Sequence, residues 1–311
     1  LSEAIPLEAK DAIDQSLEKK KPFFLYMSHY AVHSPFNSDP RFADNYKDSD
    51  KPKNAQAYAT LIEGIDKSLG DLMDHVAGKG VAENTFILFV GDNGSDAPLG
   101  PVNGYSSSAP LRGKKGTCYE GGMRVPFIAG WAKSGDENTF PMAKGVLHDS
   151  QIGTVMDLYA TILEAAGAKN PADHVVDGVS LLKQLSGKKN PGRPDHFMCH
   201  FPHSHRSSYF TAFRKGDWKL ILNKGAGGGW GGSWETTKTS AKVVQLYNMK
   251  DDPGEARNLE EAHPDVVKEL VDDLAGAFRD GRTTPGKRQK NEGWPYRDGA
   301  TQAKFPQLSE K

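Results

Sequence analysis

Three short, continuous apolar segments constrain the fold of this 311-residue chain most strongly, and they occupy residues 23–27, 85–90 and 125–131. Runs of this kind are typical of strands buried on both faces, as in parallel sheets. Segments with apolar side chains at helical spacing accompany them, at residues 7–20, 55–77 and 151–166. Strands that alternate with helices predict an α/β fold, with part of a largely parallel sheet sandwiched by helices.

A change of composition after about residue 185, where Gly, Lys and Pro accumulate, predicts a domain boundary. We expect an α/β domain over residues 1–190 and a second, smaller domain over residues 191–311. The first domain holds only three convincing strands, fewer than a doubly wound sheet usually has. Position 1 is leucine rather than methionine. We therefore expect that a substantial N-terminal part of the parent protein precedes this chain.

The predicted C-terminal domain combines short strands with one helix. Strands are predicted at residues 209–213, 218–222 and 243–247. Lys215-Gly216-Asp217 is a hairpin signal between the first two, and residues 264–278 have the spacing of a helix. This order predicts a small α+β domain with an antiparallel sheet and one helix. A Gly-rich stretch at 225–233 is predicted to be a flexible loop, and residues 281–311 an irregular tail.

Composition excludes several classes of function. Thirty-nine Lys and Arg residues oppose 40 Asp and Glu residues, so no basic excess exists for binding nucleic acid. No apolar run reaches the length of a membrane span, and no signal peptide opens the chain. The two cysteines, Cys118 and Cys199, are too few for a disulfide framework or a cysteine-based zinc site.

Asp92 and Asn93 follow directly after the second predicted strand. In open α/β sheets, ligands bind outside the carboxyl ends of the strands. A carboxylate beside an amide oxygen offers two hard ligands, which suit calcium or magnesium. The alternative is a simple turn, since Asp-Asn-Gly is a common turn sequence.

A Gly-rich basic segment follows at residues 111–126, with the order Gly-Lys-Lys-Gly-Thr at its centre. Glycines allow the backbone to approach an anion closely while Lys114 or Lys115 neutralises it. The order differs from that of a P-loop, so nucleotide binding is not predicted. A solvated basic turn remains the alternative.

Histidines provide the remaining candidates. His33 follows the first predicted strand, where it could donate to an anionic oxygen or protonate a leaving group. His200 and His203 belong to a second cluster that could bind a metal or line a substrate pocket. No zinc-protease helix motif accompanies that cluster, which disfavours zinc. Trp230 and Trp234 could stack on sugar rings or could anchor a loop.

Several segments together, in this order, resemble the sulfatase family, arylsulfatase-like enzymes of the alkaline phosphatase superfamily. The most specific are residues 22–35 (PFFLYMSHYAVHSP), 84–94 (NTFILFVGDNG) and 111–126 (LRGKKGTCYEGGMRVP). Further similarity lies at residues 58–72, 154–167, 177–182, 214–222 and 246–259. The resemblance therefore covers nearly the whole chain except the tail.

The resemblance implies a role for four residues. Asp92 and Asn93 match a pair of calcium ligands, Lys115 the lysine that contacts the sulfate, and His33 the histidine near the leaving oxygen. Sulfatases use formylglycine, made from Cys or Ser in a Cys/Ser-x-Pro/Ala-x-Arg motif. Cys118 and Cys199 stand outside this pattern, and residues 38–41 are one residue too short for it. The resemblance thus implies a nucleophile upstream of this chain.

The function that follows is hydrolysis of sulfate esters, with a sulfated glycan or small molecule as substrate and His200 and His203 as substrate-binding residues. The chain alone is expected to be inactive, with the missing N-terminal segment as its partner. The resemblance also implies a periplasmic or secreted location. The alternatives are a phosphodiesterase or phosphonate hydrolase of the same superfamily, and a non-catalytic glycan-binding relic.

Overall fold

The computed structural model describes residues 3–98, 108–205, 208–223, 243–291 and 299–309. The chain divides into two compact units. The first unit comprises Leu1–Val90, Asp96–Pro101 and Pro126–Asn138, and the second comprises Gly91–Ser95, Val102–Val125 and Thr139–Lys311. The domain boundary expected near residue 190 stays a prediction. No helix within the described ranges is both long enough and apolar enough to cross a membrane.

Two helices are the longest elements of the first unit. Helix α1, Ala4–Glu18, begins three residues before the predicted start and buries Pro6, Ala9 and Ile13, whereas Leu7 of the predicted apolar face is exposed. Helix α2, Lys53–Gly78, occupies the predicted segment. Its buried positions are mostly small residues, namely Ala55, Ala57, Thr60, Gly64, Ser68 and Val76. Small residues at these positions allow other segments to approach the helix closely, whereas the larger Ile62 is exposed.

The prediction of a buried strand at residues 23–27 is wrong for this structure. The segment has no strand structure, and Phe24 and Tyr26 are 71% and 82% exposed. A strand needs a neighbouring backbone that completes its hydrogen bonds. The described part of the first unit contains one sheet, which has two strands, and this segment is not one of them.

Strands β1, Phe86–Val90, and β2, Phe127–Trp131, occupy predicted positions but run antiparallel rather than parallel. Val90, the last residue of β1, pairs with Phe127, the first residue of β2. The connection between the two strands therefore begins and ends at the same end of the sheet, as in a hairpin with a very long loop. A parallel pair would need a crossover to the opposite end.

Helix α4, Asp157–Ala165, is shorter than the predicted helix at residues 151–166. Two one-turn helices, α3 Glu120–Met123 and α5 Leu182–Leu185, precede and follow it in the chain. The Asp157 carboxylate accepts hydrogen bonds from the backbone N–H and hydroxyl of Thr154, at 2.7 and 2.9 Å. This contact ties the preceding turn to the start of the helix. The helix buries Asp157 and Thr161, whereas Met156 and Tyr159, which the spacing placed inward, are exposed.

The second unit contains a four-stranded sheet in the order β3-β4-β5-β6. Its strands are β3 His196–His205, β4 Ser208–Lys215, β5 Trp218–Asn223 and β6 Val244–Asn248. Each pairs antiparallel with its neighbour, and helix α6, Pro264–Asp280, covers one face. The fold class, α/β followed by an antiparallel sheet with a helix, is confirmed. Strand β3 was not predicted, because histidines interrupt its apolar pattern.

Two details of this sheet complete the comparison with the sequence. The predicted hairpin is present, and Gly216 supplies its positive φ of 55°. The tail is not wholly irregular, since it contains helix α7, Gly299–Lys304, and a 3-10 turn, Pro306–Ser309. Phe305 and Leu308 of the tail are buried in the core formed by the sheet and α6. The Gly-rich stretch 225–233 lies outside the described residues.

Candidate functional site

The acidic turn, residues 92–94, directly follows strand β1 in the chain. Asp92 and Asn93 are both exposed. The Asn93 amide nitrogen donates to the backbone oxygen of Gly94 at 2.9 Å, which leaves its amide oxygen as an acceptor. The turn therefore presents a carboxylate and an amide oxygen, the ligand types that hard divalent cations prefer.

The lysine loop, residues 111–124, is fixed to the acidic turn through the backbone. Gly94 N–H donates to the oxygen of Gly122, and Lys115 N–H donates to the oxygen of Ser95, each at 3.0 Å. A Cβ atom on Gly94 would collide with the oxygen of Gly121 and would lie 2.5 Å from Cα of Gly122. Only glycine permits this approach. The structure thus brings together the three residues that the sequence placed in one site: Asp92, Asn93 and Lys115.

The lysine loop is also tightly folded on itself. Thr117 N–H and its hydroxyl donate to the oxygen of Lys114, at 3.0 and 2.9 Å, so residues 114–117 form a turn. Gly113 and Gly116 on either side have φ values of +80° and +85°, a region that favours glycine. Lys115 is half-buried within this turn. Its backbone position is therefore closely determined.

Beneath the lysine loop lies a buried ion cluster of Glu120, Lys219 and Glu255. Lys219 Nζ is 3.0 Å from Oε1 of Glu120 and 2.7 Å from Oε1 of Glu255. The second carboxylate oxygen of Glu255 accepts the backbone N–H of Glu120 at 2.7 Å. Arg124 and Arg214 approach the remaining oxygen of Glu120, at 2.7 and 3.3 Å.

Electrostatics keep Glu120 and Lys219 charged despite their burial. Burial alone would raise the pKa of Glu120, but the charges of Lys219, Arg124 and Arg214 outweigh it and lower the pKa to about 2. Burial would likewise lower the pKa of Lys219, and the charges of Glu255 and Glu120 instead raise it. Glu255 is different. Burial and repulsion from Glu120 raise its pKa, although Lys219 opposes them.

Arg112 forms a second connection between the loop and the sheet. Its guanidinium lies over the Tyr119 ring, 3.9 Å from the centroid, and donates to the backbone oxygen of Glu255 at 3.0 Å. The Tyr119 hydroxyl donates to Oε1 of Gln245 on β6 at 3.1 Å. Sequence reasoning missed these contacts. The available signal was Lys219, a charged residue beside the apolar residues Leu220–Leu222 in strand Trp218–Asn223.

His33 belongs to the first unit, where it lies exposed in a loop. Its Nδ1 contacts the backbone oxygen of Ser34 at 2.8 Å, and its ring meets the edge of Tyr30 at 5.8 Å. Since a carbonyl oxygen only accepts, Nδ1 carries a proton and Nε2 is left for another partner. The role of His33 beside Lys115 stays a prediction.

His200 lies within the C-terminal sheet. Its Nδ1 is 2.8 Å from the Thr211 hydroxyl, and its ring packs edge-on against Phe278 of α6 at 5.0 Å. Burial lowers its pKa, so the ring is neutral at pH 7. These contacts give His200 a packing role, and its assignment to substrate stays a prediction. The His203 side chain, Trp230 and Trp234 lie outside what the structure describes.

Residues 108–112 read SAPLR and have the spacing of the formylglycine motif. The structure places this segment at the entry of the lysine loop, with the oxygen of Ser108 accepting the N–H of Leu111 at 2.9 Å. Arg112, the arginine of the match, is engaged by Tyr119 and Glu255. Within the described residues, no group of three or more His, Cys, Asp or Glu side chains could hold a metal by itself.

Known proteins are similar to this chain in sequence. A family model described as Sulfatase matches residues 6–168. The N-acetylgalactosamine-6-sulfatase of Mus musculus is 28% identical over 313 residues, covering 94% of this chain and 55% of that protein. The protein of the same name from Canis lupus familiaris is 30% identical over 268 residues, covering 80% and 46%. The chain thus spans about half the length of the curated relatives it matches.

Solved structures share the fold. The crystal structure of Ps i-CgsB in complex with k-i-k-neocarrahexaose superposes with a TM-score of 0.69 at 22% identity. The match covers 99% of this chain and 59% of that chain. It extends from the two helices of the first unit to the tail that packs on the C-terminal sheet. The whole described fold, rather than one motif, is therefore shared.

Proposed function

Because this chain belongs to the sulfatase family, we propose that the protein hydrolyses the sulfate ester of a sulfated carbohydrate. The observation that carries the proposal is the backbone contact between the acidic turn and the lysine loop. This contact holds two hard oxygen ligands and an ammonium group in one unit. Relatives named N-acetylgalactosamine-6-sulfatase favour a sulfated amino sugar as the substrate.

Asp92 and Asn93 would hold a divalent cation, for which we propose calcium, with magnesium as the alternative. Their carboxylate and amide oxygens fit such a cation in kind, but calcium takes roughly six to eight oxygen ligands. Further ligands must therefore come from water or from other parts of the protein. When bound, the cation supplies positive charge to the sulfate oxygens.

Lys115 and His33 would act on opposite ends of the ester bond. The Lys115 ammonium donates to the sulfate oxygens and stabilises the charge that they carry during transfer. His33, in its protonated form, donates the proton on Nε2 to the departing alcohol oxygen, while Ser34 holds Nδ1. His200 and His203 are kept as proposed substrate-binding residues.

We place the nucleophile, formylglycine, in the part of the protein that we expect upstream of this chain. That group supplies the covalent attack on sulfur. Ser108 is the other possible source, and peptide mass spectrometry separates the two. Conversion of Ser108 would remove two hydrogens from its peptide, and we expect that peptide to be unmodified. A periplasmic or secreted location is proposed on the same family grounds.

The proposal is tested in the protein expressed from its complete gene. We expect Lys115→Ala to lower kcat/KM for an aryl sulfate by a factor of about 100 or more, comparable to loss of an oxyanion donor. The adjacent Lys114→Ala is the matched control and should have a much smaller effect. The reverse order would move the role to Lys114.

Assays of the same protein with different substrates distinguish the alternative functions. Faster turnover of an aryl phosphodiester or phosphonate than of the sulfate would identify the alternative hydrolase. Binding of a sulfated glycan without any turnover would identify a non-catalytic protein. Turnover of the sulfate ester, lost in Lys115→Ala, supports the proposed function.

A further inference from the structure

The buried ion cluster has no role in the proposed chemistry, although it lies directly beneath the lysine loop. Its three members are nearly inaccessible: Lys219 is 1% exposed, Glu120 5% and Glu255 0%. A buried ion pair contributes little net stability, because desolvation offsets the attraction, and apolar residues of similar volume do as well. Stability alone therefore gives no reason for this chain to place three charges here.

Both ends of the lysine loop meet at one residue of this cluster. The carboxylate of Glu255 accepts the N–H of Glu120, on the returning limb of the loop, at 2.7 Å. The backbone oxygen of Glu255 accepts the guanidinium of Arg112, on the entering limb, at 3.0 Å. Lys115 lies between these two limbs. Glu255 thus fixes the width of the loop that carries Lys115.

The conformation of Glu255 is also unusual for its residue type. Its φ is +52°, in the left-handed region that favours glycine. A carboxylate at such a position is retained against a backbone preference, which is typical of positions where the side chain has a specific task. Here the side chain contacts Lys219 and Glu120 N–H.

Displacement of Glu120 would move both halves of the candidate site. Gly121 N–H donates to the oxygen of Arg112 at 2.7 Å, and a Cβ on Gly121 would lie 2.5 Å from that oxygen, so the two limbs touch. Gly122 accepts the N–H of Gly94 in the acidic turn at 3.0 Å. The three consecutive residues 120–122 therefore link the ion cluster to the entering limb and to the acidic turn.

We propose that the Glu120–Lys219–Glu255 cluster is a positioning device, through which the C-terminal sheet holds Lys115 beside the acidic turn. The inference rests on the proposed function, since it assigns these residues to the geometry of the same site. Lys219, on β5, is the centre of the device because its ammonium neutralises both carboxylates. None of the three residues touches the substrate.

The test is a double-mutant cycle between Lys219 and Lys115 in the protein expressed from its complete gene. Misplacement of a binding group by about 1 Å can lower the rate by a factor of about 100. We therefore expect Lys219→Met to lower kcat/KM by about 10- to 100-fold when Lys115 is present. In the Lys115→Ala background, the same substitution should lower it by a factor at least about fivefold smaller, because Lys115 is gone and only the effect through the acidic turn remains.

Three further variants keep the cycle interpretable. Lys215→Met removes a half-buried lysine from the adjacent strand β4, where it pairs with Glu269 and Asp273, and should change kcat/KM by less than about twofold in both backgrounds. Glu255→Gln replaces Lys219→Met if that variant does not fold, since it removes a charge but preserves shape. Lys219→Arg, which retains the charge, should recover part of the activity.

The outcomes separate the two levels of inference. An equal loss from Lys219→Met in both backgrounds would show a general structural role and overturn the positioning proposal while leaving the proposed function intact. Unchanged activity in Lys219→Met, with the protein folded, would overturn it as well. A clearly larger effect in the background that contains Lys115 supports it. Full activity in Lys115→Ala would instead overturn the role of Lys115, and absence of sulfate-ester turnover by the unsubstituted protein would overturn the proposed function itself.

Discussion

The segment at residues 23–27 is exposed and strand β5 is buried, although their sequences suggest the reverse. The first reads FFLYM and carries no charge, yet Phe24 and Tyr26 are exposed. The second reads WKLILN, and its Lys219, Leu220, Ile221 and Leu222 are all buried. The difference lies in the neighbours. Strand β5 pairs with β4 and β6 on both edges, whereas the first segment has no strand partner within the described residues.

Burial is therefore decided by what surrounds a segment, even for a charged side chain. Lys219 remains inside because Glu120 and Glu255 lie within 3.0 Å of its ammonium. Tyr26 remains outside because nothing described covers it.

The largest effect on stability should come from Lys219→Met. Removing one partner of a buried ion pair leaves uncompensated charge and destabilises by about 3–5 kcal/mol. Here two carboxylates would lose their shared cation. Urea unfolding, followed by far-UV circular dichroism, measures the change. The control is Lys67→Met on the surface of α2, which removes an exposed pair with Asp71 and should change the free energy of unfolding by less than about 0.5 kcal/mol.

Acid should weaken the protein through Glu120. Its pKa is lowered from 4.5 to about 2, so its ionised form is favoured in the folded state. The corresponding stability, about 3 kcal/mol, is present above pH 4.5 and is lost as the pH falls toward 2. In Glu120→Gln we expect a smaller loss of stability between pH 5 and 3 than in the wild type, measured as the urea midpoint at each pH.

Substitution of Glu255 should have the opposite effect on the pH dependence of stability, so it is the control for Glu120→Gln. Burial raises its pKa, so the folded state binds a proton more readily than the unfolded chain does. Its protonation therefore adds stability as the pH falls from neutral toward the unfolded value near 4.5. Glu255→Gln should remove this gain and make the acid loss steeper. If both variants reduce the loss of stability at acid pH, the pKa values of the two carboxylates are not shifted in opposite directions.

The parts of the fold that were predictable are those whose partners lie nearby in sequence. The hairpin of β4 and β5 was predicted because Lys215-Gly216-Asp217 joins its strands directly, and helix α6 because Val267, Leu270 and Leu274 recur at its spacing. The direction of β2 was not predictable, because a connection of 36 residues, 91–126, separates it from β1. Apolar runs indicate that a strand is buried but carry no information on its direction.

The same distinction applies to the site. Asp92 became a candidate because it lies in a short motif whose chemistry can be read locally, and the resemblance to sulfatases singled out Lys115 over Lys114. Both roles stay predictions. The ion cluster was missed because Glu120, Lys219 and Glu255 are separated by 99 and 36 positions in the numbering. Only the observation that a lysine interrupts strand β5 pointed toward it, and that observation names no partner.

The contact between the acidic turn and the lysine loop should be broken by one methyl group. Gly94→Ala places a Cβ against Gly121 and Gly122, where backbone cannot yield, and overpacking of this kind destabilises by about 1–3 kcal/mol. Gly70→Ala is the matched control, since a Cβ on Gly70 of α2 meets nothing within 4 Å. Alanine there should stabilise by up to about 1 kcal/mol. Similar unfolding midpoints for the two variants would show that the turn and loop are not locked together.

The smallest effect on stability should come from Tyr26→Ser, at the exposed end of the comparison. A side chain that is 82% exposed loses little burial, so the free energy of unfolding should change by less than about 0.5 kcal/mol. The same substitution should reduce self-association of the 311-residue chain, because exposed aromatic side chains promote association between copies. Sedimentation velocity at several concentrations measures this second effect. Tyr46→Phe is the control, because it keeps the aromatic ring and loses only the hydroxyl, which donates to Glu63. A loss of more than about 1 kcal/mol in the free energy of unfolding of Tyr26→Ser would mean that residues 23–27 are covered in solution. Their neighbour would then come from another copy of the chain, whereas the neighbours of β5, strands β4 and β6, come from the same chain.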